Sequence, residues 1–456
     1  MIKNSLFVLV FCGVFFGNQG WVAQFDGHVW YEKDFYRFFP KNDWELLDDG
    51  DKKVKILNSF LKQNVAAQKA LALGLQYGQN VNLKLSARYK MLMVNEYYMR
   101  HFLSSLIPPS ALFFCGQNLG REVFAKHILL KVDPLFPEGD ALVLREAQNI
   151  KDSILAFGGF SSFALRYSKD PGAQKNKGAL GWVSIGQTVP EFQDGLFNLC
   201  LGCVDVVKTD FGFHVVLADS TRPSEYSFLN KEEYDDFVFR FATAYIQEPL
   251  KEVAAEHDSM LIRSAGVVFD EAVLFALVDK INVNLKLKNG VRKDVDVIKI
   301  LKEDGRVVAR YNSSFLSSSW FADKIENSLH GSVFYASFDE IKKGFETTLL
   351  REIVYTKGLG LGLAERFSFL SQYNPIRLGV LEKAYLSYLV SSVKKPTEEE
   401  VELYFAENKK NQELAVAYKS IETVLLQKKQ EAAKNSFFLS VENKENILIN
   451  EEWFND

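Results

Sequence analysis

Two long stretches in the first quarter of the chain place apolar residues at helical spacing. Residues 51–77 and residues 83–107 each repeat apolar side chains near every 3.6 positions. The second stretch ends at Pro108-Pro109, because proline lacks an amide donor and clashes with the preceding turn. The pattern predicts two amphipathic helices, the second of which ends at Pro108.

Between residues 121 and 220 the pattern changes to short alternating runs. In chain order it predicts a strand over 122–131, a helix over 140–157, a strand over 180–184, a helix near 190–198 and an alternating pair of strands over 204–219. A loop rich in Gly and Lys covers 169–178. This region is expected to be a compact α+β unit of about 100 residues.

The next region gives mixed signals. Residues 224–255 are predicted to be helical, whereas Val283, Leu285 and Leu287 alternate as in a strand. No chemistry can be assigned to residues 223–303 from this pattern.

The region from 304 to 396 repeats the amino-terminal pattern. Leu71–Leu75 matches Leu359–Leu363, and Asp26-Gly27 is matched with Asp304-Gly305. Most matches lie 287 to 289 residues apart, from 350 − 61, 359 − 71 and 396 − 109. A drift this small favours duplication of one module.

Two further signals lie after the repeat. Thr397 and Glu400 have the spacing of a capping box, which opens a helix. Leu414, Tyr418 and Leu425 then mark a final amphipathic helix.

Composition and charge narrow the class of protein. The 456 residues suggest about three domains. Lys and Arg number 54 against 58 Asp and Glu, a net charge of −4, which argues against a nucleic-acid partner. The four cysteines are too few for a disulfide scaffold. The 38 Phe residues are enough for large cores or for apolar grooves that hold extended polypeptide.

The amino terminus has the pattern of an export signal. Lys3 precedes the apolar run Leu6–Phe16, which is short of the ~20 residues that span a bilayer. We predict a signal peptide over about residues 1–20 and a periplasmic or other extracytoplasmic location. An uncleaved anchor or a buried first strand remains the alternative.

Five short stretches between 121 and 220 resemble one family. They are Phe124–Leu129, Tyr167–Gly172, Gly178–Val183, Val189–Phe192 and Val207–His214. In this order they resemble the parvulin-type (PpiC-like) peptidyl-prolyl cis-trans isomerases. The flanking helical patterns resemble those of exported foldases of the SurA and PrsA kind.

The resemblance implies a polar, catalytic group of four residues. His127 and His214 match the family's pair of histidines on adjacent central strands. Thr209 matches the hydroxyl residue that joins their hydrogen-bond network, and Asp170 matches the acidic-or-cysteine position that faces the pocket. The alternative is that these residues only satisfy one another inside a strand pair, as buried polar groups must.

The resemblance also implies a pocket for the proline ring. Leu180 and Phe192 match its apolar wall. Thr188 stands where the family usually has Met, so a looser pocket is expected. No cofactor is implied, because rotation about an X–Pro bond needs a pocket that favours the twisted amide and no nucleophile or metal.

Two further motifs bear on the function. The segment Lys131–Glu138 has one Lys against two acids, so phosphate recognition is not expected. Cys200 and Cys203 form a CxxC, interpreted as packing residues, with a disulfide between them left open. A redox protein that uses this pair is a third candidate class.

The complete prediction is an α+β parvulin domain flanked by mainly α-helical chaperone-like modules. Its boundaries are 1–20 for the signal peptide, 21–119 for a helical module, 120–222 for the parvulin domain, 223–303 for a mixed connecting region and 304–456 for a second helical module. The predicted function is an exported isomerase and chaperone whose partners are unfolded, proline-containing polypeptides, including outer-membrane proteins. The alternative is a non-catalytic holdase with a vestigial parvulin domain.

Overall fold

The computed structural model describes most of the chain. The described residues are 20–39, 41–132, 139–284, 287–288, 291–292, 297–312, 314–326, 337–408 and 414–455. The predicted signal peptide therefore lies almost wholly outside them, as do positions 133–138 of the loop weighed for phosphate binding. Within the described part of the chain, no helix has both the length and the apolar character needed to cross a membrane.

Helices dominate the described residues. They are α1 (Glu32–Phe38), α2 (Lys41–Glu45), α3 (Gly50–Ala72), α4 (Gln79–Tyr97), α5 (Pro109–Asn118), α6 (Asp140–Phe157), α7 (Phe160–Tyr167), α8 (Ala173–Asn176), α9 (Pro190–Asn198), α10 (Lys231–Ala242), α11 (Leu250–Ser264), α12 (Glu271–Asn284), α13 (Val297–Asp304), α14 (Ser318–Glu326), α15 (Phe338–Gly360), α16 (Phe367–Ser391), α17 (Glu398–Asn408), α18 (Leu414–Glu442) and α19 (Glu451–Asn455).

The strands are short except in the middle of the chain. They are β1 (Trp21–Phe25), β2 (His28–Tyr31), β3 (Arg121–Leu130), β4 (Ala179–Val183), β5 (Val204–Thr209), β6 (Gly212–Pro223), β7 (Val268–Phe269), β8 (Leu287–Lys288), β9 (Val291–Arg292), β10 (Val307–Tyr311), β11 (Ser314–Ser317) and β12 (Ile447–Ile449). The elements fall into two compact units, residues up to 88 with those from 371 onward, and residues 89–370. We call them unit 1 and unit 2.

Unit 1 is built around a small sheet of strand order β12-β1-β2. Strand β12 pairs antiparallel with β1, with Ala23 opposite Ile449. Phe35, Trp44 and Trp453 pack together in its core, and the two indole rings stack 5.4 Å apart. Unit 1 thus joins segments from both ends of the sequence.

Unit 2 contains a second sheet of the same kind, with strand order β7-β10-β11. Ala309 lies opposite Phe269 as Ala23 lies opposite Ile449. In both sheets the residue after this strand directly precedes a helix, and its amide bonds the central strand: Asn450 N donates to Val22 O, and Asp270 N donates to Val308 O. The two sheets are therefore the same motif, which supports an internal duplication.

The structure confirms one part of the proposed repeat and corrects another. Gly74 and Gly362 both have φ of 68° and both follow a 23-residue helix, 362 − 74 = 288 residues apart. Asp304-Gly305 is the wrong partner for Asp26-Gly27, because it precedes β10. The hairpin residue that corresponds to Asp26 (φ 47°) is Asn312 (φ 44°), 312 − 26 = 286 residues later.

The structure also corrects the strand predicted through Val283. This residue belongs to helix α12, which ends at Asn284, and a short strand begins only at Leu287. Apolar alternation over three positions does not distinguish a strand from the exposed end of a helix, and Val283 is exposed. The capping box is confirmed, because Thr397 Oγ1 accepts from Glu400 N while Glu400 Oε2 accepts from Thr397 N.

The middle of unit 2 is an antiparallel sheet of order β4-β3-β6-β5. One face packs against α6 and α7, with Ile128, Ile150 and Phe160 in its core. The other face forms a second core, which α9 shares with α5 and α10 through Cys115 and Val238. The α+β class is confirmed, and the predicted elements of this region lie within one residue of the observed strands β3 and β4 and of helix α9.

Candidate active site

The two histidines lie on neighbouring central strands of this sheet. In the β3–β6 register, His127 is opposite Val216 and His214 is opposite Leu129. The histidines are therefore diagonal neighbours two positions apart, and such residues share one face of a sheet. Their rings are nearly parallel with centroids 5.5 Å apart, and both side chains are buried. The same spacing places Thr209 of β5 diagonal to His214, since Thr209 is opposite Gly212.

Hydrogen bonds join the four predicted catalytic residues into one line. Thr209 Oγ1 is 2.8 Å from His214 Nε2, His214 Nδ1 is 3.3 Å from His127 Nδ1, and His127 Nε2 is 3.0 Å from Asp170 Oδ2. The structure thus brings together the four residues that the sequence proposed as a group.

One direction of donation satisfies every group in this line. Phe211 N donates to Thr209 Oγ1 at 3.1 Å, so the hydroxyl proton is available for His214 Nε2. His214 then carries its proton on Nδ1 and donates it to His127 Nδ1. His127 in turn donates from Nε2 to the Asp170 carboxylate. In this arrangement each of these side-chain nitrogens and oxygens has a partner, and the negative charge lies on Asp170.

Asp170 is held in place by a loop tied to β3. Ser168 Oγ accepts from the backbone amides of Leu129 and Asp170, both at 3.2 Å. Asp170 Oδ1 accepts from Gly172 N at 3.1 Å. The carboxylate therefore faces His127 because its loop is bonded to the strand that carries His127.

Electrostatics agree with a neutral His214. Burial, assisted by the neighbouring His127, lowers the pKa of His214 from 6.5 to about 4. The hydrogen bond from His127 outweighs desolvation and lowers the pKa of Asp170. At neutral pH the site holds one carboxylate and an uncharged His214.

The predicted pocket residues fall at different places. Phe192 is buried and sets its ring edge-to-face against both histidines, at 5.9 Å from His127 and 5.2 Å from His214. Leu180 is 38% exposed in β4, where the register with β3 shifts by one residue. Thr188 directly precedes the residue that caps α9, and its buried Oγ1 has no hydrogen-bond partner among the described residues. Phe192 therefore adjoins the polar group.

Sequence reasoning missed two supporting groups. Ser168 and Phe211 both lie in the five stretches that resemble the family, yet neither is among the predicted site residues. A local sequence signal could have found them. A hydroxyl or carboxyl side chain two residues before a backbone amide has the spacing of an Asx or ST turn.

The arrangement contains no free nucleophile, since the hydroxyl and both imidazoles bond one another. What it offers is a hydrogen-bonded polar surface, with one carboxylate at its end, next to an apolar ring. Such a surface can hold a proline ring by apolar contact and stabilise the less conjugated, twisted amide without bond making.

The disulfide left open by the sequence is present. Cys200 and Cys203 are bonded, in the turn that joins α9 to β5. Cys115 is free and buried, and burial raises the pKa of its thiol to about 11.

Comparison with known proteins gives a family for this region. Residues 115–222 match the PPIC-type PPIase domain. The match identifies these residues as a parvulin-type isomerase domain carried within a longer, mainly helical chain.

The relatives are folding factors of the kind that the sequence suggested. The Chaperone SurA of Cupriavidus metallidurans is 35% identical over 144 residues, which are 31% of this chain and 27% of that protein. The Foldase protein PrsA of a Geobacillus species is 36% identical over 101 residues, 22% of this chain and 33% of that protein. The chain thus spans about a third or less of the length of these relatives.

Among solved structures, the peptidylprolyl isomerase PrsA from Bacillus anthracis is similar, with 17% identity and a TM-score of 0.26. The match covers 52% of this chain and 97% of that one. The family match and the two relatives confirm the predicted resemblance to parvulin-type domains of the SurA and PrsA kind.

Proposed function

We propose that this protein is a peptidyl-prolyl cis-trans isomerase that acts on X–Pro bonds of unfolded polypeptides. The observation that carries the proposal is the hydrogen-bonded line from Asp170 through both histidines to Thr209, with Phe192 against the histidine rings. Uncatalysed rotation crosses a barrier of about 18–20 kcal/mol and takes tens of seconds, which is slow enough to limit folding.

In this proposal His127, His214, Thr209 and Asp170 keep the polar side of the pocket rigid and dry. Because each donor already has an acceptor, the group need not reorganise when the amide twists and its charge distribution changes. Phe192 supplies the apolar wall. Leu180 and Thr188 are proposed to line the rest of the pocket, with Thr188 leaving it looser than Met.

The test is isomerisation of a short Xaa-Pro peptide by the full chain. We expect the wild type to accelerate the reaction, and the double variant H127N/H214N to lose at least tenfold in kcat/KM. H101N is the matched control, since His101 is exposed and lies outside the isomerase domain. A wild type no faster than the uncatalysed reaction would refute the proposal.

A holdase chaperone with a vestigial isomerase domain is the second candidate. The observation that favours it is the unpartnered Thr188 hydroxyl at the predicted pocket, an uncompensated polar group where the family usually has an apolar side chain. Suppression of client aggregation without acceleration of the peptide reaction would select this function.

The proposed clients are unfolded envelope or secreted proteins, including outer-membrane proteins, and the proposed location is extracytoplasmic. The amino-terminal sequence pattern and the similarity to SurA and PrsA support the proposed clients and the proposed location. Large apolar side chains that are exposed outside residues 115–222, such as Leu46, Tyr77 and Phe315, offer contacts for such chains. Cell fractionation with an antibody to the chain tests the location.

A further inference from the structure

Helix α9, which carries the pocket wall Phe192, is bonded by a residue from outside the isomerase domain. Tyr245 follows α10 and lies beyond residue 222, where the family match ends. Its hydroxyl accepts from Gln193 Nε2 at 2.9 Å and donates to Asp194 Oδ1 at 2.5 Å. One hydroxyl therefore holds the two residues that come directly after Phe192.

Gln193 also bonds the loop that precedes α9. Gln193 is 2% exposed, and its Oε1 accepts from Gly186 N at 2.6 Å. The Phe241 ring of α10 packs so closely on Gly186 that a Cβ there would lie 2.3 Å from it. Gly186, two residues before Thr188, is thus held between α9 and α10.

Helix α10 is itself anchored. Asp236 is 4% exposed, forms ion pairs with Arg100 and Arg366, and accepts from Ser368 N at 2.9 Å. Burial and the hydrogen bond to Asp194 raise the pKa of Tyr245 far above its usual range, so the hydroxyl remains a donor at any physiological pH.

We propose that Tyr245 is a positioning residue for the isomerase pocket, which sets the place of the Phe192 wall by fixing Gln193 and Asp194. The proposal rests on the proposed isomerase function and deepens it. It assigns part of the pocket's geometry to the helical segment after the domain, so the domain alone is an incomplete site.

The test compares Tyr245→Phe with Tyr234→Phe in the full chain. Tyr234 is the matched control, because it lies in α10 and its hydroxyl also makes two hydrogen bonds, to Gly116 O and from Gly120 N, neither of them to α9. The readouts are KM and kcat on a short Xaa-Pro peptide, the thermal midpoint and amide hydrogen exchange over residues 184–198.

We expect Y245F to raise KM about fivefold, the equivalent of about 1 kcal/mol, with kcat changed less than twofold. Residues 184–198 should exchange faster in Y245F alone. Y234F should lower the thermal midpoint comparably and leave KM and this exchange unchanged. The pH profile should be the same in both variants, since the histidines are untouched.

An unchanged KM in Y245F, or equal effects of the two variants, overturns the positioning role. A fall in kcat at constant KM also overturns it, since that is the result of a smaller folded fraction. If the wild type has no isomerase activity, the proposed function fails instead. Hydrogen exchange then decides whether Tyr245 positions α9, and equal exchange over 184–198 in all three proteins refutes it.

Discussion

At the scale of single residues, burial rather than sequence neighbours decides the chemistry of His214. The ring is 6% exposed and is bonded at both nitrogens, so a proton can be added only by breaking a bond inside the sheet. The neutral ring is therefore part of the folded state, and acid should oppose folding at this position.

The pH dependence of stability follows with a definite sign. An unfolded chain binds a proton at His214 below about pH 6.5, whereas the folded chain does so only near pH 4. The unfolding free energy should therefore fall by up to about 3 kcal/mol as the pH drops from 6.5 to 4. Urea unfolding at several pH values measures it.

In H214N this part of the pH slope should disappear, while H101N should keep it. An H214N protein whose unfolding free energy declines with acid as steeply as that of the wild type would contradict the assignment.

Gly178 occupies a position where a side chain would be sterically hindered. It has φ of 83°, its carbonyl accepts from His127 N, and a Cβ there would lie 2.7 Å from the Ala164 Cβ. G178A should cost about 2 kcal/mol or more of unfolding free energy, because strain and overpacking add.

Gly159→Ala is the control for this variant, with φ of 77° and open space around its Cβ position. It should show the backbone cost alone, about 1–2 kcal/mol. Equal losses in the two variants, measured by denaturant unfolding, would show that the contact with Ala164 does not matter.

At the scale of elements, the turn between α9 and β5 is closed by the Cys200–Cys203 disulfide. Cys200 lies past the carboxyl end of α9, whereas reactive thiols are typical of helix amino termini. A structural role follows. Because the closed loop has only four residues, the C200A/C203A variant should lose about 2 kcal/mol of stability and keep its isomerase activity.

Reduction provides the check on this disulfide. Dithiothreitol should lower the denaturation midpoint of the wild type and leave that of C200A/C203A unchanged. Loss of isomerase activity on reduction, with the fold intact, would instead favour a redox role for the pair.

The isomerase sheet shares one of its cores with helices on both sides of the family match. Ala111 of α5 and Val238 of α10, which lie before and after the matched residues 115–222, are buried in the same cluster as Val123 and Phe192. A segment of residues 108–246 should therefore unfold at a clearly higher denaturant midpoint than a segment of residues 120–222, since cutting α5 and α10 exposes apolar surface. Equal midpoints would show that these helices add nothing to the domain.

At the scale of the whole molecule, unit 1 depends on pairing between distant parts of the sequence. Ala23 and Ile449 are 449 − 23 = 426 residues apart, while Ala309 and Phe269 in the matching sheet are 309 − 269 = 40 apart. Contacts of such long range form late in folding, because loop closure costs entropy before the contact repays it. The sheet of unit 1 should therefore be completed after that of unit 2.

Trp453 tests this closure. It is 7% exposed and packs on Phe35 and Trp44. W453A should cost about 3–5 kcal/mol and speed hydrogen exchange in residues 21–31, with exchange in residues 121–130 unaffected. L448A, in the neighbouring strand and exposed, should change stability by less than about 0.5 kcal/mol. Unchanged exchange over 21–31 in W453A would contradict the account.

The sequence alone determined the α+β class, the strands and helices of the isomerase region, and the identity of its four polar residues. It could do so because those elements are regular, with periodic apolar positions, and because the polar residues stand in ordered stretches shared with a family. The domain boundaries proposed from the sequence stay a prediction. They follow the chain in order, whereas unit 1 joins two segments that are distant in sequence and unit 2 is one continuous segment.

Only the tertiary structure decided the rest. Diagonal register, not spacing along the chain, brings His127 and His214 together, and burial makes His214 neutral. Tyr245 reaches Gln193 and Asp194 across 51 to 52 positions. Such contacts depend on how strands pair and helices pack, and no local pattern of apolar and polar residues records that.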